Sequence, residues 1–282
     1  MTGPALATTF RHFCATGAGL EVRALRRPEL VLRTTRYERI IVDETILTPV
    51  FPLARRPRAY AFVVLAGRFV MQRDQLEAVP GDVVFQLSTD TMHGRFEGTH
   101  FLDLEWDAPM TGAPEVIDKC DLARARDLAS RVLTSPQVDV FREAFDFFRS
   151  AGVPLGDLAA ERLDGTPSVL DLRLARAMEA QLENLSTRAT TLHLEEQSKI
   201  SPRHLQRLIH AFNARYGINA GNWRDTRNRW RLQIAVALLS VPELTVQEVA
   251  VQVGYADAPA LARAFSNAGF PSPTVVRRQL GV

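Results

Sequence analysis

Hydrophobic and polar positions follow two different periods along this chain. Up to about residue 110 the apolar runs are short and rich in β-branched or aromatic residues: Arg39-Ile40-Ile41-Val42, Tyr60 to Leu65, Phe69-Val70-Met71 and Val83-Val84-Phe85. Gly67 and Pro80-Gly81-Asp82 separate them as turn formers, which predicts strands. In Thr99 to Trp106, the residues Leu102, Leu104 and Trp106 alternate with Asp103 and Glu105. That period of two predicts a strand with one buried face. Many short strands at close spacing imply a barrel or sandwich.

The period changes after Pro114. Leu122, Leu128 and Val132, then Val140, Phe141, Phe145, Phe147 and Phe148, fall in helix-like stretches broken near Pro136 and Pro154. Pro167 opens a stronger helix in which Leu170, Leu174, Met178, Leu182 and Leu185 recur at three- or four-residue steps. Everything beyond reads as helical. The expected fold class is α+β, with an N-terminal β-barrel and helices over residues 1–165 and an all-α domain over 166–282.

Composition narrows the class. The 282 residues are 46% hydrophobic and 23% charged, an ordinary folded composition that excludes disorder, collagen-like repeats and a small disulfide scaffold. No apolar run approaches the roughly 18–20 residues that cross a bilayer. The opening MTGPALATTFRHFC lacks a basic stretch followed by an apolar one, so no secretory signal is expected. Cys14 and Cys120 lie in no metal or redox spacing. Two reduced thiols in a cytoplasmic protein with no membrane partner are the expectation. Net charge is only +2, yet residues 187–282 carry 12 Lys+Arg against 6 Asp+Glu, leaving 22 against 26 for the remainder. A basic C-terminal third suggests an anion-binding module.

The chemistry concentrates at residues 243–278. Leu244, Val246, Val249, Ala250 and Val253 form an apolar helical face with Thr245 placed to cap its start. Gly254 ends that helix, Tyr255-Ala256-Asp257 links to a second, and Leu261, Ala264 and Phe265 turn inward. Helix, glycine-containing turn and helix is the helix-turn-helix plan, although helical hairpins that bind nothing share it. The run from Leu244 to Asp257, then Arg263-Ala264-Phe265, Ser272-Pro273 and Arg277, resembles the second helix-turn-helix of AraC/XylS-family transcriptional regulators. Ser201-Pro202-Arg203-His204-Leu205-Gln206-Arg207 resembles the start of that family's first recognition helix, and Arg231 to Ala235 with Leu238-Leu239 its connecting helix. The resemblance covers about residues 170–280. It implies two helix-turn-helix units reading successive major-groove segments of double-stranded DNA, no catalytic residues and no cofactor.

Several positions depart from the family. Glu195, Ser198 and Lys199 replace a small apolar residue, a large apolar residue and glycine, so the first scaffold helix is expected to be distorted or shifted. The span from Ser201 to Arg231 is longer than usual, and the family's Phe-Gly appears as Gly269-Phe270. Base reading needs donors and acceptors in the groove. Arg203, His204, Gln206, Arg207 and His210 supply them on the first recognition helix, whereas the second, Ala258 to Ala262, offers only Asp257 and Arg263 at its ends. The first unit is expected to specify and the second to anchor on phosphates; each polar residue also fits a solvated helix face. Arg224, Arg227, Arg229 and Arg231 cluster with Trp223 and Trp230. The cluster could line the DNA backbone, but the tryptophans read as core anchors, and Arg231 matches a family position that holds the units together.

The N-terminal half is similar to the cupin-like sensor often joined to this module, through Val64 to Phe69, Ala78 to Val84 and Met92-His93-Gly94. Any antiparallel β domain uses such turns. No His-x-His pair occurs and His93 and His100 stand seven apart, so no metal site is expected. Tyr60, Phe62, Phe85, His93 and Trp106 are candidate lining residues for a small organic effector, with plain core packing as the alternative. Phe141 to Phe148 could face a second subunit or cover the barrel. The reading is a non-enzymatic DNA-binding regulator that responds to a small molecule or forms a homodimer, with RNA polymerase a possible partner. The rivals are a cupin metalloenzyme, an alkyl-accepting repair protein and an interaction module that has lost DNA binding. Cys120, in Asp118-Lys119-Cys120-Asp121, lacks the Pro-Cys-His-Arg context of the second.

Overall fold

The computed structural model describes residues 6–27, 30–47, 58–71, 76–88, 94–107, 115–117, 120–134, 138–155, 167–183, 185, 191–216 and 222–282. The first half is an antiparallel sheet: β1 Leu6–Phe13, β2 Gly19–Arg27, β3 Leu30–Glu38, β4 Ile41–Asp43, β5 Arg58–Met71, β6 Leu76–Ala78, β7 Val83–Ser88, β8 Arg95–Asp107 and β9 Glu115–Ile117. A one-turn helix, α1 (Glu44–Leu47), follows β4. Strand order is β1-β2-β3-β8-β5-β7-β9, with β4 paired to β8 and β6 to β5. The expected barrel is therefore an open sheet: among the described residues β1 does not pair with β9. The long strands β5 and β8 bend where their register slips between Val64 and Arg68. Gly67 sits in this bend at φ +74°, and a Cβ there would lie 2.3 Å from the Gly98 carbonyl, so only glycine fits.

Both faces of the central strands are buried, which corrects the one-faced reading of β8. Leu102, Leu104 and Trp106 share a face with Leu32, Ala61 and Val63 and pack under two helices, α2 (Leu122–Thr134) and α3 (Val138–Ser150). Asp103 and Glu105 point the other way and are only 3% and 6% exposed. Phe141, Phe145, Phe147 and Phe148 are likewise buried against the sheet. They cover it rather than offer an interface.

The second half is helical: α4 Val169–Glu183, α5 Thr191–Ser198, α6 Pro202–Arg215, α7 Trp223–Leu239, α8 Val246–Gln252, α9 Ala258–Asn267 and α10 Pro273–Leu280. The predicted α4 periodicity puts Leu174, Met178 and Leu185 in the core, while Leu170 at its start is 38% exposed. The long span between Ser201 and Arg231 is taken up by extending α6 to Arg215 and starting α7 at Trp223. The boundary near residue 165 lies outside the described residues.

Candidate nucleic-acid interface

The second helix-turn-helix is built from local signals that satisfy one another. Thr245 accepts from the Glu248 amide while the Glu248 carboxylate accepts from the Thr245 amide at 2.7 Å, a capping box that starts α8. These bonds hold the Glu248 carboxyl below its ordinary value. Gly254 takes φ +80° at the turn. Asp257 then caps α9, accepting from the Ala260 amide at 2.7 Å, and Gln247 accepts from the Ala258 amide at 2.9 Å. Asp257, expected at the DNA, is thus placed as a cap. Leu261 and Phe265 are fully buried, and Phe270 packs on Phe265 at 5.1 Å despite the inverted Gly-Phe order.

Arg231 holds this unit to α7. Its Nε donates to the Val253 carbonyl at 2.5 Å, and its guanidinium lies 3.9 Å from the Tyr255 ring centroid. Burial lowers its pKa, yet the cation–π contact and hydrogen bond fill its surroundings. Trp223 and Arg227 also turn inward: Trp223 donates to Gln181 at 2.6 Å and Arg227 to the Leu185 carbonyl at 2.9 Å. Arg224 stays exposed, and Arg229 and Trp230 are half-buried.

The first unit forms despite its atypical residues. Lys199 adopts φ +56°, the left-handed conformation glycine would take. Arg173 steadies the turn by donating to the Ser198 and Lys199 carbonyls at 2.5 and 3.1 Å, a contact no sequence motif marks. Ser198 and Leu194 are fully buried, so the helix holds its register. On α6, Leu205, Ile209 and Phe212 face the core, while Arg203, His204, Gln206, Arg207 and His210 are all exposed. On α9 the exposed polar set is Arg263, Ser266 and Asn267; the last two, at the helix end, escaped the sequence reading.

In the N-terminal half, Tyr60 and Phe62 lie on the inner face of β5, whereas Phe85 and Trp106 stack at 6.1 Å on the face under α2 and α3. His93 lies outside the described residues. The inner face has an ionic end and an aromatic end. Arg33 and Asp103 pair at 2.9 Å in the interior, where burial lifts the Asp103 carboxyl to about 6 against the pull of Arg33. Phe62, Phe69, Phe96 and Phe101 form a ring cluster with neighbouring centroids 4.7–6.1 Å apart. His100 faces the other side; its Nε2 lies 3.0 Å from the Thr34 hydroxyl, which also reaches the Phe101 carbonyl at 3.2 Å, and burial lowers the His100 pKa to about 4. Among the described residues no group of three His, Cys, Asp or Glu could hold a metal ion.

Paired helix-turn-helix units joined by one long helix define a DNA-binding module. Residues 194–279 match the family model described as a helix-turn-helix domain, and this segment is of the AraC type. The chain carries the DNA-binding module of a transcriptional regulator. No curated protein sequence matches it. Among solved structures it is similar to an apo variant of ToxT from Vibrio cholerae, at 11% identity over 90% of this chain and 99% of that one, with a TM-score of 0.37. It is also similar to the AraC-like transcriptional activator CuxR, at 14% identity over 96% and 84%, TM-score 0.25. A Bacillus subtilis oxalate decarboxylase variant matches at 13% identity over 53% and 39%, TM-score 0.24. At these scores the three bear on neither fold nor function. No described helix is long and apolar enough to cross a membrane.

Proposed function

We propose that this regulator reads DNA sequence with α6 and anchors on the backbone with α9, under control of an N-terminal sensing domain over residues 1–165. The observation that carries the division is the contrast in how polar side chains are used. Five exposed residues on α6 have the chemistry for base edges, whereas Asp257 and Gln247 are committed to capping α9. A guanidinium can bind guanine bidentately and a glutamine adenine, while Arg263 suits a phosphate. The DNA-binding domain spans residues 166–282 in this reading. The protein works in the cytoplasm, without enzymatic activity.

The inner face of the sheet is the proposed effector site, with Tyr60 and Phe62 as lining residues. Its ionic end beside an aromatic end suits a small organic molecule with one polar group. The test is selection of duplexes from random DNA with the full chain, then affinity for selected and scrambled duplexes across a salt series. Selected duplexes should bind more tightly at every salt, with log K falling at about −0.9 per phosphate neutralised. Equal affinity for both would defeat the reading.

A further inference from the structure

We infer that strand β1 is a second strut between the two helix-turn-helix units, and that Glu179 and Gln252 are positioning residues that fix the spacing of DNA segments the protein accepts. The inference rests on the DNA-binding reading above. One rod between the units is α7, held to the first by Trp223 and Arg227 and to the second by Arg231.

The edge strand β1 supplies a further connection, beside the bonds that tie the sheet to the second half through the Ile41 amide to Ser240 at 2.8 Å, Arg39 to Glu243 at 2.6 Å and Arg95 to the Leu280 carbonyl at 3.1 Å. At its start, Leu6 is fully buried in the core cluster of α4, α5 and α6. The Thr9 amide, on the strand's outer edge, donates to the Glu179 carboxylate of α4 at 2.5 Å. At the far end, His12 Nε2 and Cys14 Sγ both lie 3.1 Å from Gln252 Oε1, at the end of α8. Strand geometry puts Leu6 and Phe13 roughly 23 Å apart, so one extended segment reaches from the first unit to the second. The neighbouring strand reinforces it, because Arg26 of β2 donates to the Tyr216 carbonyl at the C-terminal end of α6 at 3.4 Å.

These contacts fall on α4, on α8 and on the trailing end of α6. Arg203, His204, Gln206, Arg207 and Arg263 remain exposed. The N-terminal domain therefore does not cover the reading residues; it acts on where the two recognition helices stand relative to each other. Adding one base pair between the two contacted segments moves the second by roughly 3.4 Å and rotates it by roughly 34° about the duplex. Two struts resist that displacement better than one.

The experiment uses the full chain and a duplex it selects from random DNA, with the two contacted segments located by footprinting. Affinity is measured by fluorescence anisotropy for that duplex and for versions with one base pair added or removed between the segments. The wild-type chain should bind the altered spacings at least tenfold more weakly. In the double variant Glu179→Ala/Gln252→Ala the ratio should fall to threefold or less, with base preference inside each segment unchanged. Glu179→Gln/Gln252→Glu keeps both acceptors and should restore the wild-type ratio. A wild-type ratio in the alanine double variant overturns the inference, as does a wild-type chain indifferent to spacing. If the double variant lacks the wild-type melting transition, the single alanine variants are read instead: a reduced ratio in either supports the strut, and wild-type ratios in both overturn it. A chain that selects no sequence defeats the DNA reading itself, an outcome distinct from a selected sequence whose spacing preference survives the variants.

Discussion

The two helix-turn-helix units solve the same geometry with opposite uses of polar residues. In the second, Thr245, Glu248, Gln247 and Asp257 all bind backbone groups of their own unit, and Arg231 pins the turn from outside. In the first, Ser201 makes no side-chain cap bond, the turn passes through a lysine at positive φ, and the polar face of α6 is left open. A side chain that satisfies a helix end is not available to a base. On the proposed division of labour, the well-capped unit is the anchor, and the poorly capped one keeps the groups that reading requires.

The largest test of this contrast is Arg231→Ala. Loss of the bond to the Val253 carbonyl and of the Tyr255 contact should destabilise the chain by about 2–3 kcal/mol in urea unfolding. Arg231→Lys should recover only part, because a lysine lacks the planar fork and ring-stacking surface. A cost near zero would remove the claim that the second unit depends on this staple. Next come the reading residues. Gln206→Ala or Arg207→Ala should change base preference by about 1–3 kcal/mol at one position. Arg263→Ala should weaken all sequences evenly and reduce the salt slope by about 1. Selections giving the reverse pattern would exchange the roles of the units.

Capping separates them at a smaller scale. Thr245→Ala should cost about 1 kcal/mol in thermal unfolding, and Ser201→Ala less than about 0.5, since only the former loses a cap bond. The smallest effect is Lys199→Gly. Relief of the left-handed lysine should stabilise the chain, by at most about 1 kcal/mol once the extra freedom of glycine in the unfolded chain is subtracted. A destabilised glycine variant would mean that the lysine side chain contributes more than its backbone costs.

The second unit was the most legible part of the molecule. Thr245 before an apolar face and Gly254 at its end act on backbone groups within four residues, so their reading needs no distant partner. Asp257 shows where that legibility stops. Its place at the end of a recognition helix suggested DNA, and the structure shows its carboxylate accepting from the Ala260 amide at 2.7 Å as the cap of α9. The exposed face of α6 was legible from its polar residues Arg203, His204, Gln206, Arg207 and His210, which lie opposite the buried Leu205 and Phe212.

What the sequence by itself determined was element type, written in caps, turns and short-range periodicity, and the inward role of Trp223; the tandem helix-turn-helix plan and the role of Arg231 were implied by resemblance to a known family. Tertiary structure alone decided that both faces of β8 are buried. An alternating pattern says that Leu102 and Asp103 point apart, but only pairing with β3 sets Arg33 opposite Asp103 and makes an interior position tolerable for a carboxylate. It also decided that the sheet stays open and that β1 reaches from α4 to α8. Sheet register and interdomain contacts join residues as far apart as His12 and Gln252. No period within one segment carries information about a partner at that separation.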